Sequence, residues 1–163
     1  MRGTRVVLLA VAVAACGGEA GKSAAHARDS GFAGVQARGA AAMGVNQYTS
    51  HHVFEPLDDG GRIELQRDAA DSAGTAQIRR HMQLIAARFA AGDFALPGFV
   101  HARDVPGTDI MSARRAAITY AVETLPLGAA VRIRTTDSAA IGAIHEFLAF
   151  QRQDHHAGAH RDS

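Results

Sequence analysis

The chain of 163 residues has one cysteine, no tryptophan, four prolines and a single lysine, Lys22, and aromatic residues make up only 6% of it. One cysteine excludes an intrachain disulfide, so the fold must rest on its core. Seventeen basic residues against sixteen acidic ones give a formal charge of +1. That leaves no field of one sign to draw the protein to nucleic acid or to an anionic membrane face. Long hydrophobic runs are missing as well. The run from Val6 to Ala15 is about ten residues, half of the roughly twenty that a membrane span needs. Hydrolytic motifs are also absent. There is no Gly-x-Ser-x-Gly elbow. His145-Glu146-Phe147-Leu148-Ala149 opens like a zinc-protease helix but has Ala149 where the second histidine belongs. Gly21-Lys22-Ser23 mimics the end of a phosphate-binding loop, yet Cys16 stands at the position of its first glycine. An enzyme is therefore the least favoured class.

What is present starts with Arg2 and Arg5, the short apolar run, and Val13-Ala14-Ala15-Cys16. A positive start, a greasy core and small residues at the cut mark a secretory signal. A cysteine directly after two small residues resembles the bacterial lipoprotein version. Residues 1–15 are thus expected to be a lipoprotein signal peptide and Cys16 the lipidated residue. Lipidation also removes the free thiol that an oxidising compartment would attack. Gly17-Gly18 follows with no Asp. By resemblance to other lipoproteins, this favours the periplasmic side of the outer membrane over the inner membrane. Loss of Arg2 and Arg5 on cleavage brings the charge close to zero. A protein partner stays unspecified.

Residues 16–44 are rich in Gly, Ala and Ser without sustained periodicity, which predicts a flexible tether. Residues 45–158 read as a single α+β domain, and 159–163 as a disordered tail. Within the domain Tyr48, Ser50, His52 and Phe54 alternate with Thr49, His51, Val53 and Glu55. A turn at 56–61 and a second alternating run at 62–66 complete a hairpin. Asp71-Ser72 then offers a cap to a helix carrying Ile78, Met82, Ile85 and Phe89, which Gly92 stops. A loop is expected from Ala95 to about Thr108, then a short helical turn at 109–116. The pattern recurs: strands around Ile118-Tyr120-Val122 and Val131-Ile133, a turn at Pro126-Leu127-Gly128, and a helix capped by Asp137-Ser138 and carrying Ile141, Ile144 and Leu148. The expected fold is a four-stranded antiparallel sheet with two helices on one face, a pseudo-repeat of hairpin-helix units. Arg62, Glu64, Arg132 and Arg134 would lie on the open, solvated face.

Histidine is in excess, with nine in the chain. His155, His156 and His160 read as part of a polar tail that could collect metal only loosely. His52, His81, His101 and His145 are spread over four separate elements. Imidazole is a common metal ligand, and a site needs three or four converging donors. Met111 could add a thioether, which makes copper(I) the first expectation and zinc the second. The competing reading is that each is a hydrogen-bonded histidine at the edge of the core.

Ser50-His51-His52-Val53-Phe54, Arg80-His81-Met82, Phe89-Ala90-Ala91-Gly92-Asp93-Phe94, Val100-His101 and Ile144-His145-Glu146-Phe147-Leu148-Ala149-Phe150-Gln151 resemble a family of small exported bacterial proteins of unassigned function. The resemblance covers about Met43 to Gly158 and implies no established activity. Some relatives in that family carry an aspartate carbamoyltransferase name. Transcarbamoylases resemble one another in a Ser-Thr-Arg-Thr-Arg phosphate loop, and nothing here matches it. The expectation is a lipid-anchored cell-envelope protein that binds a transition metal through His52, His81, His101, His145 and Met111. The alternative is a structural or partner-binding envelope module without metal.

Overall fold

A computed structural model describes residues 18–44 and 46–157, with residues 18–30 and Gln47 as backbone alone. The signal peptide, Cys16 and the tail at 159–163 lie outside the described residues. The elements in order are α1 (Gly18–Met43), β1 (Ser50–Leu57), β2 (Gly60–Arg67), α2 (Ser72–Ala90), α3 (Ala95–His101), α4 (Thr108–Ala113), β3 (Ile118–Leu125), β4 (Gly128–Thr135) and α5 (Ser138–Asp154). The four strands form one antiparallel sheet in the order β1-β2-β4-β3. The fold is α+β, as the alternation of strand and helix patterns predicts.

Each hairpin closes over two residues, Asp58-Asp59 in the first and Pro126-Leu127 in the second. The helix starts follow their cap residues. The Asp71 side chain accepts from Gly74 N, and that of Asp137 accepts from Ala139 N and Ala140 N. Such caps satisfy backbone donors that have no partner inside the helix. Gly92, at φ 79°, ends α2 in a conformation that suits glycine.

The helix stripes are buried as their spacing requires. Ile78, Met82, Ile85 and Phe89 of α2 and Ile144, Phe147 and Leu148 of α5 share one cluster with Ile63, Leu65, Val131 and Ile133 of the sheet. Complete burial of one such side chain contributes roughly 1.5–3 kcal/mol. Cross-strand register fixes where the helices sit. Gly61, Ile133 and Tyr120 form one row. A Cβ at Gly61 would come 2.3 Å from Leu148 Cδ1 of α5. The Tyr120 ring lies 6.0 Å from Phe89 of α2. Contacts to α5 and to α2 therefore fall on the same row, and Gly61 is what lets α5 come so close.

Three expectations need correction. Residues 18–43 are helical, not a tether. Alanine is the strongest helix former, and its abundance here outweighs the glycines. Val35 and Met43 are buried, Arg38 Nε donates to Val100 O at 2.7 Å, and Gln77 Nε2 donates to Met43 O at 2.9 Å. The end of α1 is thus part of the body. Second, the stretch expected to be a loop from Ala95 to Thr108 contains α3, with Pro97 in its first turn, where proline is tolerated. Third, the charges on the other sheet face are not simply solvated. Arg62 bridges Glu64 at 2.6 Å and Glu123 at 3.1 Å, Arg132 pairs with Asp59, and Glu64 and Arg132 are buried.

Candidate functional site

Four histidines from four elements line one cavity of about 70 Å³. His52 comes from β1, His81 from α2, His101 from the last position of α3, and His155 from the residue that caps the C-terminus of α5. The rest of the lining is mostly apolar: Phe54, Ile63, Leu65, Ile85, Phe89 and Phe147 from sheet and helices, Leu96, Pro97 and Val100 from α3, and Gly39, Ala42 and Met43 from α1. Met82 and Gln151 complete it. Among the described residues, the four imidazoles are the only ionisable groups of the lining.

Local structure explains each placement. His52 shares its strand face with Phe54, on which its ring stacks at 5.5 Å, and it pairs across the sheet with the fully buried Leu65. His81 precedes Met82 on the buried stripe of α2. His155 continues a stripe that runs Ile144, Leu148, Gln151, His155 along α5, the same rhythm that α2 shows. Its ring lies 4.7 Å from that of His52 and 5.1 Å from that of His101.

Hydrogen bonding divides the four. His101 is buried and clamped. Its Nδ1 donates to Asp154 Oδ2 at 2.7 Å, and its Nε2 faces the Gln151 side-chain amide at 2.9 Å. Arg103 pairs with the other oxygen of Asp154 and lies over the Phe150 ring at 4.7 Å. His101 also borders a polar cleft of about 360 Å³ formed with Phe32, Arg38, Arg103, Asp154 and His156. The other three imidazoles are free to take a ligand. Among the described residues no hydrogen bond reaches the rings of His52 and His81, and His155 Nδ1 is a buried nitrogen without a partner. Buried polar atoms left unpaired are rare and point to water, an ion or a functional role.

Burial keeps these imidazoles neutral. His52 is held well below its usual range by burial first, then by His155, His81, His51 and His101. Burial lowers His81 to about 4. His155 is also lowered to about 4, by burial first and by His101, against the opposing pull of Asp154. The neutral ring is the form that ligates metals. Among the described residues, no three His, Cys, Asp or Glu side chains stand together as a ready metal-holding group.

Three of the four expected histidines, His52, His81 and His101, thus converge. His145 does not. Its Nε2–H donates to Leu57 O at 2.9 Å, which makes it a satisfied edge histidine that ties α5 to the first hairpin. Met111 does not either. It is fully buried in the core, on α4, which packs against α5. The thioethers that reach the cavity are Met43 and Met82. His155 replaces His145 as the α5 contribution, and its signal was the continuing stripe through Gln151. Met43 was hidden by the tether expectation. No described helix is long and apolar enough to cross a membrane. Comparison of the chain with protein-family models, with curated proteins and with solved structures finds no match.

Proposed function

We propose that this protein is an exported, lipid-anchored component of the bacterial cell envelope that binds one transition-metal ion in its histidine-lined cavity. The observation that carries the reading is His155 Nδ1, a buried nitrogen without a partner among the described residues, on a ring that lines the cavity with two further unengaged imidazoles. His52, His81 and His155 would supply the first donors. His101, clamped by Asp154 and Gln151, would shape the wall and orient His155 through their ring contact. Two imidazoles that share one ion have ring centres about 5–6 Å apart, given metal–nitrogen distances near 2.0 Å. The His52–His155 separation of 4.7 Å is slightly shorter than that, so the two rings would have to move apart by a few tenths of an ångström to share one ion.

The test is metal loading of the purified full-length chain at pH 7, followed by desalting and elemental analysis. One tightly held ion per chain is expected, lost in His52→Ala and in His155→Ala and kept in His145→Ala. Tail trimming must stop after Ala157, because His155 belongs to the site. A Cys16→Ser companion excludes capture by the thiol and also tests the anchor. It should release the protein from the membrane fraction, whereas the wild type stays there. A chain that holds no ion leaves a metal-free partner-binding envelope module as the better reading.

A further inference from the structure

We infer that the cavity is built for a soft monovalent cation, cuprous copper, and that the thioethers of Met43 and Met82 complete its ligand set beside His52 and His155. The inference rests on the metal-binding reading above and deepens it. The donors at the cavity are imidazoles, thioethers and one amide, and His52, His81 and His155 are held neutral by burial. Among the described residues no carboxylate or thiolate lines it. The nearest acidic group, Asp154, stands behind His101 and is already paired with Arg103.

Charge then decides between ions. The penalty for moving an ion from water into an apolar surrounding grows with the square of its charge, so a divalent ion pays about four times the monovalent cost. A zinc site offsets that cost with thiolates or carboxylates or with a full set of four donors. Here the described lining offers no thiolate or carboxylate to do so. Copper(I) asks for less. It prefers soft ligands, and thioether sulfur is one of them. Both methionine side chains are buried and both line the same cavity as the imidazoles.

The second thioether has a structural consequence. Met43 is the last residue of α1, and its carbonyl already accepts from Gln77 Nε2 on α2. A copper–Met43 bond would fasten the end of α1 to the sheet and α2. Metal loading would thus tighten the junction between the anchored N-terminal segment and the domain.

The experiment uses the full-length chain and its Met43→Leu, Met82→Leu and double variants. Leucine conserves volume, so each variant should fold. Met111→Leu, a core methionine outside the cavity, is the control. Copper(I) affinity is measured by competition with a chromophoric copper(I) chelator, zinc(II) affinity with a zinc indicator, and the ligand set by X-ray absorption. The expected result is copper(I) preferred over zinc(II), and a loss of at least about tenfold in copper(I) affinity for each cavity variant with zinc affinity unchanged. A sulfur neighbour in the wild-type spectrum should vanish in the double variant. Amide exchange near residues 39–44 should slow on copper binding in the wild type and not in Met43→Leu. Tight zinc binding with no sulfur neighbour and no effect of either methionine would overturn this inference and leave the histidine site standing. Failure to hold any metal would sink both.

Discussion

Lowering the pH from 7 to 5 should destabilise the metal-free fold through His81 and His155. In the unfolded chain each imidazole titrates near 6.5, whereas in the fold both are lowered to about 4. Above 6.5 the ring is neutral in both states and contributes no difference. As the pH falls through 6.5 the unfolded chain takes up a proton that the fold refuses, and the loss is complete only near pH 4. At pH 5, one and a half units below the ordinary value, each group removes about 2 kcal/mol. The two together remove about 4 kcal/mol, against a total stability of about 5–15 kcal/mol for an ordinary domain. His52 is shifted in the same direction and adds to the loss. The two carboxylates with shifted titration act outside this window. Asp59 is lowered by its hydrogen bond from Arg132, and Asp137 by the Ala140 N–H, so their contributions fade only below the usual carboxylate range.

The assay is urea unfolding followed by circular dichroism at pH 7 and pH 5, with a chelator present to keep the protein metal-free. The His81→Leu variant removes one of the titrating groups. It should lose about 2 kcal/mol less than the wild type over the same interval. A wild type equally stable at both pH values to within about 0.5 kcal/mol would refute the reasoning, as would a His81→Leu variant with wild-type pH dependence.

Other expectations follow from the same geometry. Ile144→Ala should cost about 2–5 kcal/mol, read from denaturant melts, because the side chain is fully buried between α5 and the sheet. Asp137→Ala should cost about 1 kcal/mol, since it removes the cap of α5 and the Arg114 pair. Deletion of residues 1–44 should lower the melting temperature by about 4 °C or more, because Val35 and Met43 leave the packed body, and an unchanged midpoint would show that α1 contributes nothing. Metal affinity should stay within about threefold between pH 7 and 5.5, because imidazoles that burial holds well below 6.5 do not compete with protons there. A tenfold fall between pH 7 and 6 would instead mark ordinary exposed imidazoles as the ligands.

The body of the fold was legible because its signals are local and mutually consistent. Asp71 and Asp137 stand one position before helices whose apolar spacing is unbroken, and both hairpins close on two residues between alternating strands. The candidate site was legible in part. His52 and His81 stood out as histidines next to core positions, and burial of those neighbours carried them inward, whereas His101 was expected on a loop and arrives on α3. What failed were judgements that need tertiary information. His145 and His155 sit on the same helix, and only packing against β1 decides that one caps a carbonyl at Leu57 while the other enters the cavity. Met111 and Met82 are both buried, yet only the second faces the histidines. The composition of residues 18–43 fits either a tether or an alanine-rich helix. What decides is burial of Val35 and Met43, which local composition does not report.

Stability gives no reason for these imidazoles to be where they are. A buried nitrogen without a partner costs roughly 1–3 kcal/mol, and burial of a group that charges near neutrality makes the fold sensitive to mild acid as well. Leucine at position 81 or 155 would avoid both costs, and the same helices already use Ile78, Ile144 and Leu148 in equivalent stripe positions. Elsewhere several polar groups are satisfied, although the buried Tyr120 hydroxyl also lacks a hydrogen-bond partner among the described residues. His145 caps Leu57 O, Arg79 donates to Leu125 O and Gly128 O, and His101 has an acceptor for Nδ1 and an amide at Nε2. Three imidazoles without hydrogen-bond partners around one cavity are what the metal-binding proposal would account for. On that reading, a ligand that bonds to neutral nitrogen would supply the missing partners, at a place where local stability argues for leucine instead.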